Sequence, residues 1–247
     1  MQRKTIIKKF GSLKPAAKTT ISSILTMSDQ QQQADPQLVA QWVQGWSLAR
    51  EVAPPIWENG VYRVEVGWPD VIRRFVFPSL TPAVAQLAET ISDPYIILKI
   101  FAAPEEVRKC LPSNWMVHPP AFMMTCLQPM KTINTQLDKE YTLDIADNIP
   151  VPIARVLTTQ GEVAAIGRIA FTEDAGIYDR IETHPLHRRR GLGSIIMKAL
   201  ESVGTARGIT KGLLVATAPG RALYETLGWK VHSLYTTAEI PAQQQTI

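Results

Sequence analysis

A short basic loop carries the clearest chemistry in this sequence: Arg188, Arg189 and Arg190 precede Gly191, Leu192, Gly193 and Ser194. A helical spacing of apolar residues starts at Leu192. The first-turn N–H groups of a helix have no partner within the helix, and the helix dipole is positive at that end. Together they bind anions, and the glycines let the backbone approach a bulky phosphate. The sequence therefore predicts a phosphate-binding loop.

Two other kinds of phosphate-binding loop are excluded. A Walker A loop ends in Gly-Lys-Ser/Thr, which is absent here. The dinucleotide fingerprint requires a third glycine where Ile196 stands, and its strand opens a βαβ unit. Here the preceding strand instead ends a series of strands.

The elements around the loop predict how it is held. Four strand patterns with short turns predict an antiparallel meander, at 141–146, 153–159, 162–172 and 176–183. After the loop come a helix, a buried strand at 212–217, a short helix at 220–227 and a final strand at 229–235. We therefore expect an α/β (α+β) domain over 141–240, preceded by a polar linker at 131–140.

Two motifs in this region resemble those of one family. Arg188-x-x-Gly191-x-Gly193 resembles the pyrophosphate motif of the GNAT family, the Gcn5-related N-acetyltransferases, as does Pro185 before it. The segment from Leu223-Tyr224 to Gly228-Trp229 is similar to the family's second signature. The resemblance covers about 141–238. It implies a GNAT-type mixed, mostly antiparallel sheet with flanking helices, and acetyl-CoA as acyl donor without a metal.

The resemblance also implies where the coenzyme binds. Strands 178–183 and 212–217 would splay apart to admit pantetheine, which the backbone near Ile181 and Thr183 would hydrogen-bond. Thr217, where the family often has Asn, would contact the coenzyme or orient the second helix. The pyrophosphate would lie on the loop residues Arg188, Arg189, Arg190, Gly191, Leu192, Gly193 and Ser194.

Two side chains are candidates for proton transfer. Tyr224 lies where the family often places the tyrosine that protonates the departing thiolate, although its ring could instead pack against the core or coenzyme. Glu182, at the splay, is the candidate base acting through water, or else a solvated strand residue. His184 and His187 are expected to be exposed turn residues.

Residues 36–130 predict a smaller α/β N-terminal domain without a catalytic motif. The family usually places one or two helices between its first two strands, but 146–153 is too short for them. Either the strand at 141–146 is misassigned, or the N-terminal domain supplies that wall of the substrate pocket. This domain could also be a degenerate second GNAT-like copy, without a pyrophosphate loop.

The positive charge of the chain is concentrated at its start. The formal net charge is +4, but residues 1–26 hold six basic residues and no acidic one. The remaining 20 basic and 22 acidic residues give −2, so we expect no nucleic acid partner. No run of about 18 apolar residues occurs, so we expect no membrane partner and a cytoplasmic location. A homodimer is compatible with the sequence.

We interpret residues 1–35 as a disordered or mis-started tail. Its composition is similar to that of a transit peptide, whereas Met27 opens a polar stretch typical of a natural N-terminus. The two cysteines, Cys110 and Cys126, form no CxxC pair. We expect them to be reduced, buried thiols, too few to hold zinc with the scattered histidines.

These observations support two hypotheses of different class. The first is an acetyl-CoA-dependent N-acetyltransferase acting on an amine of a small molecule or peptide. The alternative is a catalytically inactive acyl-CoA-binding module used for sensing or protein interaction. The sequence specifies neither the acceptor nor the length of the acyl group.

Overall fold

The computed structural model describes residues 33–132 and 134–242. Residues 1–32 of the predicted tail, and with them the choice between Met1 and Met27, lie outside the described residues. The first element is helix α1, Pro36–Ala49. Asp35 caps it, because its Oδ1 accepts the N–H of Gln37 at 2.8 Å, and proline occupies the first helical position.

The N-terminal half continues with two further helices and six strands. They are β1 Ile56–Glu58, β2 Val61–Trp68, β3 Val71–Phe77, α2 Pro82–Thr90, β4 Ile96–Ile100, α3 Pro104–Cys110, β5 Met116–Val117 and β6 Ala121–Cys126. Strands β1, β2 and β3 are antiparallel neighbours, whereas β3 and β4 are parallel and joined through α2. The sequence missed β1 and β5, which are too short to show an alternating pattern.

The C-terminal half has six strands and two α-helices. They are β7 Tyr141–Ala146, β8 Ile153–Thr158, β9 Val163–Phe171, β10 Ala175–Thr183, α4 Leu192–Ala206, β11 Lys211–Ala216, α5 Ala218–Thr226 and β12 Lys230–Glu239. Strands β7 to β10 pair antiparallel in sequence order, which confirms the predicted meander. A parallel crossover through α4 then joins β10 to β11.

The two halves share one twelve-stranded sheet, in the order β1-β2-β3-β4-β12-β6-β11-β10-β9-β8-β7, with β5 paired to β12. Each half inserts a strand into the other. Strand β6 lies between β11 and β12, while the end of β12 lies between β4 and β5. The predicted fold class, mixed α/β with a mostly antiparallel sheet and flanking helices, is confirmed. The predicted division at 131–140 stays a prediction, and β6, which precedes this segment, pairs with β11 and β12, which follow it.

Helices cover both faces of the sheet. Along β12, Leu234 packs in the core under α4 and α5, and Ala238 packs in the core under α2 and α3. Tyr235, between them, points to the opposite face and packs in the core that contains α1. Cys126 is buried, but the prediction for Cys110 is wrong, because its thiol lies on the exposed side of α3.

Helix α1 covers one face of the sheet in the C-terminal half, and its role as a wall of the substrate pocket stays a prediction. Strands β7 and β8 form a direct hairpin, so the strand at 141–146 is correctly assigned. Helix α1 packs instead on β9, β10 and β11, across the face opposite α4. In the part of the chain that the structure describes, no helix combines the length and apolar character needed to cross a membrane.

Candidate functional site

The parallel strands β10 and β11 separate partway along their length. They pair only from Ala175 opposite Lys211 to Ile177 opposite Leu213. Strand β10 then runs on to Thr183 and β11 to Ala216 without pairing to each other. The register of β10 against β9 shifts between Asp179 and Glu182, a β-bulge, and such bulges bend a strand. The predicted splay is confirmed.

The loop after β10 has an unusual backbone. A short 3-10 turn, Pro185–His187, leads to Arg189 and Gly191, which have positive φ angles of 65° and 75°. Left-handed residues in such a loop turn successive N–H groups toward one point and form an anion-binding concavity. Gly191 is the N-cap of α4, and no side chain caps this helix. The N–H of Ser194 donates to the oxygen of Gly191 at 3.0 Å, so the amides of Leu192 and Gly193 are the first-turn groups left for an anion.

Two glycines of the loop lie close to other segments. A Cβ atom at Gly191 would collide with the side chain of Thr135, and the positive φ is strained for other residues. A Cβ atom at Gly193 would stand 2.9 Å from Cδ2 of Leu223 on α5. The loop therefore packs closely between the 131–140 segment and α5, and larger side chains would displace it.

The splay and the loop open into one cavity of about 1200 Å³. Ten residues predicted for the site line it: Ile181, Glu182, Thr183, Arg188, Arg189, Gly191, Leu192, Gly193, Ser194 and Thr217. Residues of β9 from Val163 to Ile166, and Pro219 and Gly220 of α5, complete the wall. The sequence did not identify these. The β9 residues could have been found from the meander, because Ile166 pairs with Glu182.

Two predicted site residues do not line this cavity. Arg190 points away, forms an ion pair with Glu140 and lies with its guanidinium 5.7 Å from the ring centre of Tyr141. Arg190 thus anchors the loop to β7. Tyr224 is buried in the core beside the cavity, only 7% exposed, with its ring centre 6.1 Å from that of Trp229.

The two histidines flanking the loop differ. His184 is exposed, as expected, and lines the cavity. His187 is half-buried, contrary to expectation, because its Nδ1 lies 2.9 Å from the hydroxyl of Tyr141. With the Arg190–Glu140 pair, this contact gives the loop a second attachment to the start of β7.

The candidate acid and base have contrasting environments. Burial raises the pKa of Tyr224 to about 12, and the negative charge of Asp179 adds to the effect. The Tyr224 hydroxyl therefore keeps its proton at neutral pH. Glu182 is exposed at the cavity wall and forms no ion pair within residues 33–132 and 134–242.

Thr217 performs one of its two expected roles. It is the N-cap of α5, and its Oγ1 accepts the N–H of Gly220 at 3.4 Å. Thr217 therefore orients the helix that carries Tyr224, while it also lines the cavity. No cluster of three metal-ligating side chains occurs among the residues for which the structure is described.

The family comparison matches this region. Residues 153–231 match the family model described as acetyltransferase (GNAT) domain. This part of the chain is a GNAT domain. The match runs from β8 to the start of β12 and includes both sequence motifs. No match was found among curated proteins.

Solved structures extend the likeness to both halves. A GCN5-related N-acetyltransferase from Kribbella flavida has a TM-score of 0.60 and 13% identity, covering 85% of this chain and 96% of its own. A GNAT-family acetyltransferase from Novosphingobium aromaticivorans has a TM-score of 0.53 and 16% identity, with coverages of 83% and 99%. At these identities the likeness shows the fold, and its coverage reaches beyond the GNAT domain into the N-terminal half.

Proposed function

We propose that this protein is an acetyl-CoA-dependent N-acetyltransferase that transfers the acetyl group directly to an amine of a small molecule or peptide. The observation that carries the proposal is the continuity of the cavity. A loop with open amides at one end leads into the gap between β10 and β11 at the other. A phosphate-bearing donor with a long arm fits that shape.

The residues present fit coenzyme A. The loop amides and the exposed guanidinium groups of Arg188 and Arg189 suit a pyrophosphate. On the side facing the gap, the backbone of β10 at Ile181 and Thr183 has lost its strand partner. The backbone oxygen of Thr183 accepts Nε–H of Arg188 at 3.3 Å. The other groups on this side need partners, and the amides of pantetheine can provide them.

Acetyl transfer from a thioester to an amine requires proton-transfer groups from the protein. Bound acetyl-CoA supplies a thioester whose acetyl group is the one transferred. The acceptor nitrogen forms a bond to the acetyl carbon, the carbon–sulfur bond breaks, and one proton passes from the amine to the base while another reaches the thiolate. An ammonium group has a pKa near ~10 and no lone pair, so a base is required. We assign that role to Glu182, acting through water.

Tyr224 is the proposed proton donor to the thiolate. Its protonated hydroxyl suits this role, and α5 holds it beside the separated strands. A backbone N–H in the bulged part of β10 is the proposed donor to the oxyanion. Burial among core residues equally supports a packing role for the Tyr224 ring, so its function needs a direct test.

A second candidate function is a catalytically inactive acyl-CoA-binding module. The observation that favours it is the position of Tyr224 outside the cavity wall. Calorimetric titration with acetyl-CoA, followed by a free-thiol assay with a panel of amines, separates the two. Binding with turnover supports the enzyme, binding without turnover supports the module, and no binding contradicts both. The cytoplasmic location and the homodimer stay predictions.

A further inference from the structure

Four arginines converge on the α1 face of the sheet, where β10 leaves β11. We call Arg50, Arg74, Arg168 and Arg180 the arginine cluster. Arg74 comes from β3 in the N-terminal half, Arg50 follows α1, and Arg168 and Arg180 lie on β9 and β10. The fold therefore collects positive charge from four elements at one edge of the splay.

Two members of the cluster already have strong partners. Nε and Nη2 of Arg50 donate to both carboxylate oxygens of Asp179, at 2.7 and 2.9 Å. Arg168 donates from Nη1 to the backbone oxygen of Ala49 at the end of α1, at 2.8 Å. Both carboxylate oxygens of Asp179 are thus hydrogen-bonded to one guanidinium, and Asp179 acts on Arg74 and Arg168 only through its charge.

The other two, Arg74 and Arg180, form no ion pair within the described ranges 33–132 and 134–242. Both stack on Trp68, with guanidinium carbons 5.5 and 6.0 Å from a ring centre. Arg74 also lies 4.4 Å from a ring centre of Trp46, and its Nε is buried without a hydrogen-bond partner. A buried charge without a counter-ion is costly, so this arrangement is suited to an incoming anion.

The local electrostatics are positive. Burial lowers the pKa of Arg74 and of Arg168, and the charges of neighbouring arginines contribute in the same direction. Burial also lowers the pKa of Lys99, on the adjacent strand β4, and the positive charge of Arg74 is the next cause. Glu51 and Asp70 influence these groups by charge but form no ion pair with them in the described part of the chain.

The cluster lies beside the proposed reaction centre. Arg180 is within the β10 bulge, with a φ of 51°, and is followed directly by Ile181, which lines the coenzyme cavity. Consecutive Cα atoms are about 3.8 Å apart. Asp179 also acts electrostatically on Tyr224. Arg180 therefore connects the arginine cluster to the strand that lines the cavity.

We infer that Arg74 and Arg180 bind a carboxylate of the acceptor, so that the acceptor is an amine that also carries a carboxylate, such as a free amino acid. This inference rests on the proposed acetyl transfer. Guanidinium groups that lie over an indole ring can present paired N–H donors, the geometry that a planar carboxylate accepts. The carboxylate anchors the acceptor, and its amine reaches the thioester through the gap between the strands.

The test compares matched acceptors in a free-thiol assay with the full chain and acetyl-CoA. Each amino acid is paired with its carboxamide, and phosphoethanolamine provides an amine with a different anion. We expect amino acids to exceed their carboxamides in kcat/KM by about tenfold or more, as loss of charged hydrogen bonds predicts. Equal rates for acid and amide, or a preference for phosphoethanolamine, would overturn the inference.

Substitutions test whether the preference for amino acids over carboxamides arises from the arginine cluster. Arg180→Gln, at an exposed position, is expected to reduce the acid-to-amide ratio to about threefold or less, and Arg74→Gln is expected to do the same, without changing the KM for acetyl-CoA. Arg73→Gln is the matched control, because Arg73 neighbours Arg74 but pairs with Glu65 on the opposite face. An unchanged ratio in Arg180→Gln would contradict the assignment.

Failure of the proposed acetyl transfer gives a different experimental result from failure of the carboxylate assignment. If no amine of the panel releases thiol from acetyl-CoA, the acetyltransferase proposal fails and the inference fails with it. If amines react but the ratio stays near one, only the carboxylate assignment fails. Thermal unfolding of Arg74→Gln with and without a reactive amino acid provides a second readout. The wild-type protein should be stabilised by the amino acid and the variant should not.

Discussion

In each half of the molecule a strand, a helix and a second strand form a parallel crossover: β3, α2 and β4 in the N-terminal half, and β10, α4 and β11 in the C-terminal half. The first pair is in register at five positions, from Arg73 opposite Ile96 to Phe77 opposite Ile100. The second pair is in register at three positions and then opens. The same local topology therefore gives one closed and one open pair.

Two local features account for the difference. The β10 bulge at 179–182 turns that strand away from β11, whereas β3 has no register shift at its corresponding end. Instead, the N–H of Phe101 donates to the oxygen of Phe77 at 3.0 Å and extends the closed pairing. The segment before α2, Pro78-Ser79-Leu80-Thr81, also lacks the glycines and arginines of 188–193. The proposed coenzyme site thus depends on a bulge and a loop, not on the crossover itself.

The largest effect is expected from a carboxylate in the open half. Gly191→Asp places a negative charge against the phosphate site and forces a side chain into Thr135. We expect the affinity for acetyl-CoA to fall by about 1000-fold, roughly 4 kcal/mol, as measured by calorimetric titration. Thr81→Asp introduces the same group at the N-terminus of α2 and should leave binding unchanged. Equal affinities in all three proteins would show that the loop is misassigned.

Tyr224→Phe tests chemistry in the open half. If the hydroxyl protonates the thiolate, kcat should fall by about 100-fold while the affinity for acetyl-CoA stays nearly constant. Tyr178→Phe is the matched control, because Tyr178 is also buried and its ring centre lies 5.2 Å from that of Trp229. A kcat of Tyr224→Phe equal to that of the control would leave Tyr224 with a packing role alone.

The difference between the halves was only partly predictable. The loop and Leu223-Tyr224 are local patterns, so the residues of 181–194 that line the cavity could be predicted from sequence. The insertion of β6 between β11 and β12 could not, because strand order depends on long-range pairing that no local period records. For the same reason no local pattern indicates that Arg74, from β3, lies over the same Trp68 ring as Arg180.

Lys99 lies in the closed pair of β3 and β4, and the effect of its burial on the free energy of unfolding depends on pH. Burial lowers the pKa of Lys99 from 10.5 to about 7. The unfolded chain therefore binds more protons than the folded one between these values, and stability rises with pH there. We expect a gain of roughly 2 kcal/mol from pH 7 to pH 9 that is lost in Lys99→Met. Urea unfolding measures it, with the exposed-site variant Lys109→Met as control. An identical pH dependence in all three proteins would contradict the pKa shift.

The smallest effect concerns α1, the helix that covers both halves on one face. The carboxylate of Asp35 caps α1, and the N–H of Asp35 also donates to Nε2 of His232 at 3.0 Å. Asp35→Ala should therefore lower the free energy of unfolding by about 1 kcal/mol. Thr81, the N-cap of α2, makes no side-chain cap bond, so Thr81→Ala should cost clearly less. Helix α1 packs on β9 to β11, and Arg50 of the arginine cluster follows its C-terminus. The N-cap at Asp35 therefore stabilises the helix that positions Arg50 beside the splay. If Asp35→Ala loosens the packing of α1 on these strands, the preference for amino acids over their carboxamides should fall together with the free energy of unfolding. Thr81→Ala should leave that preference unchanged and lower the free energy of unfolding clearly less.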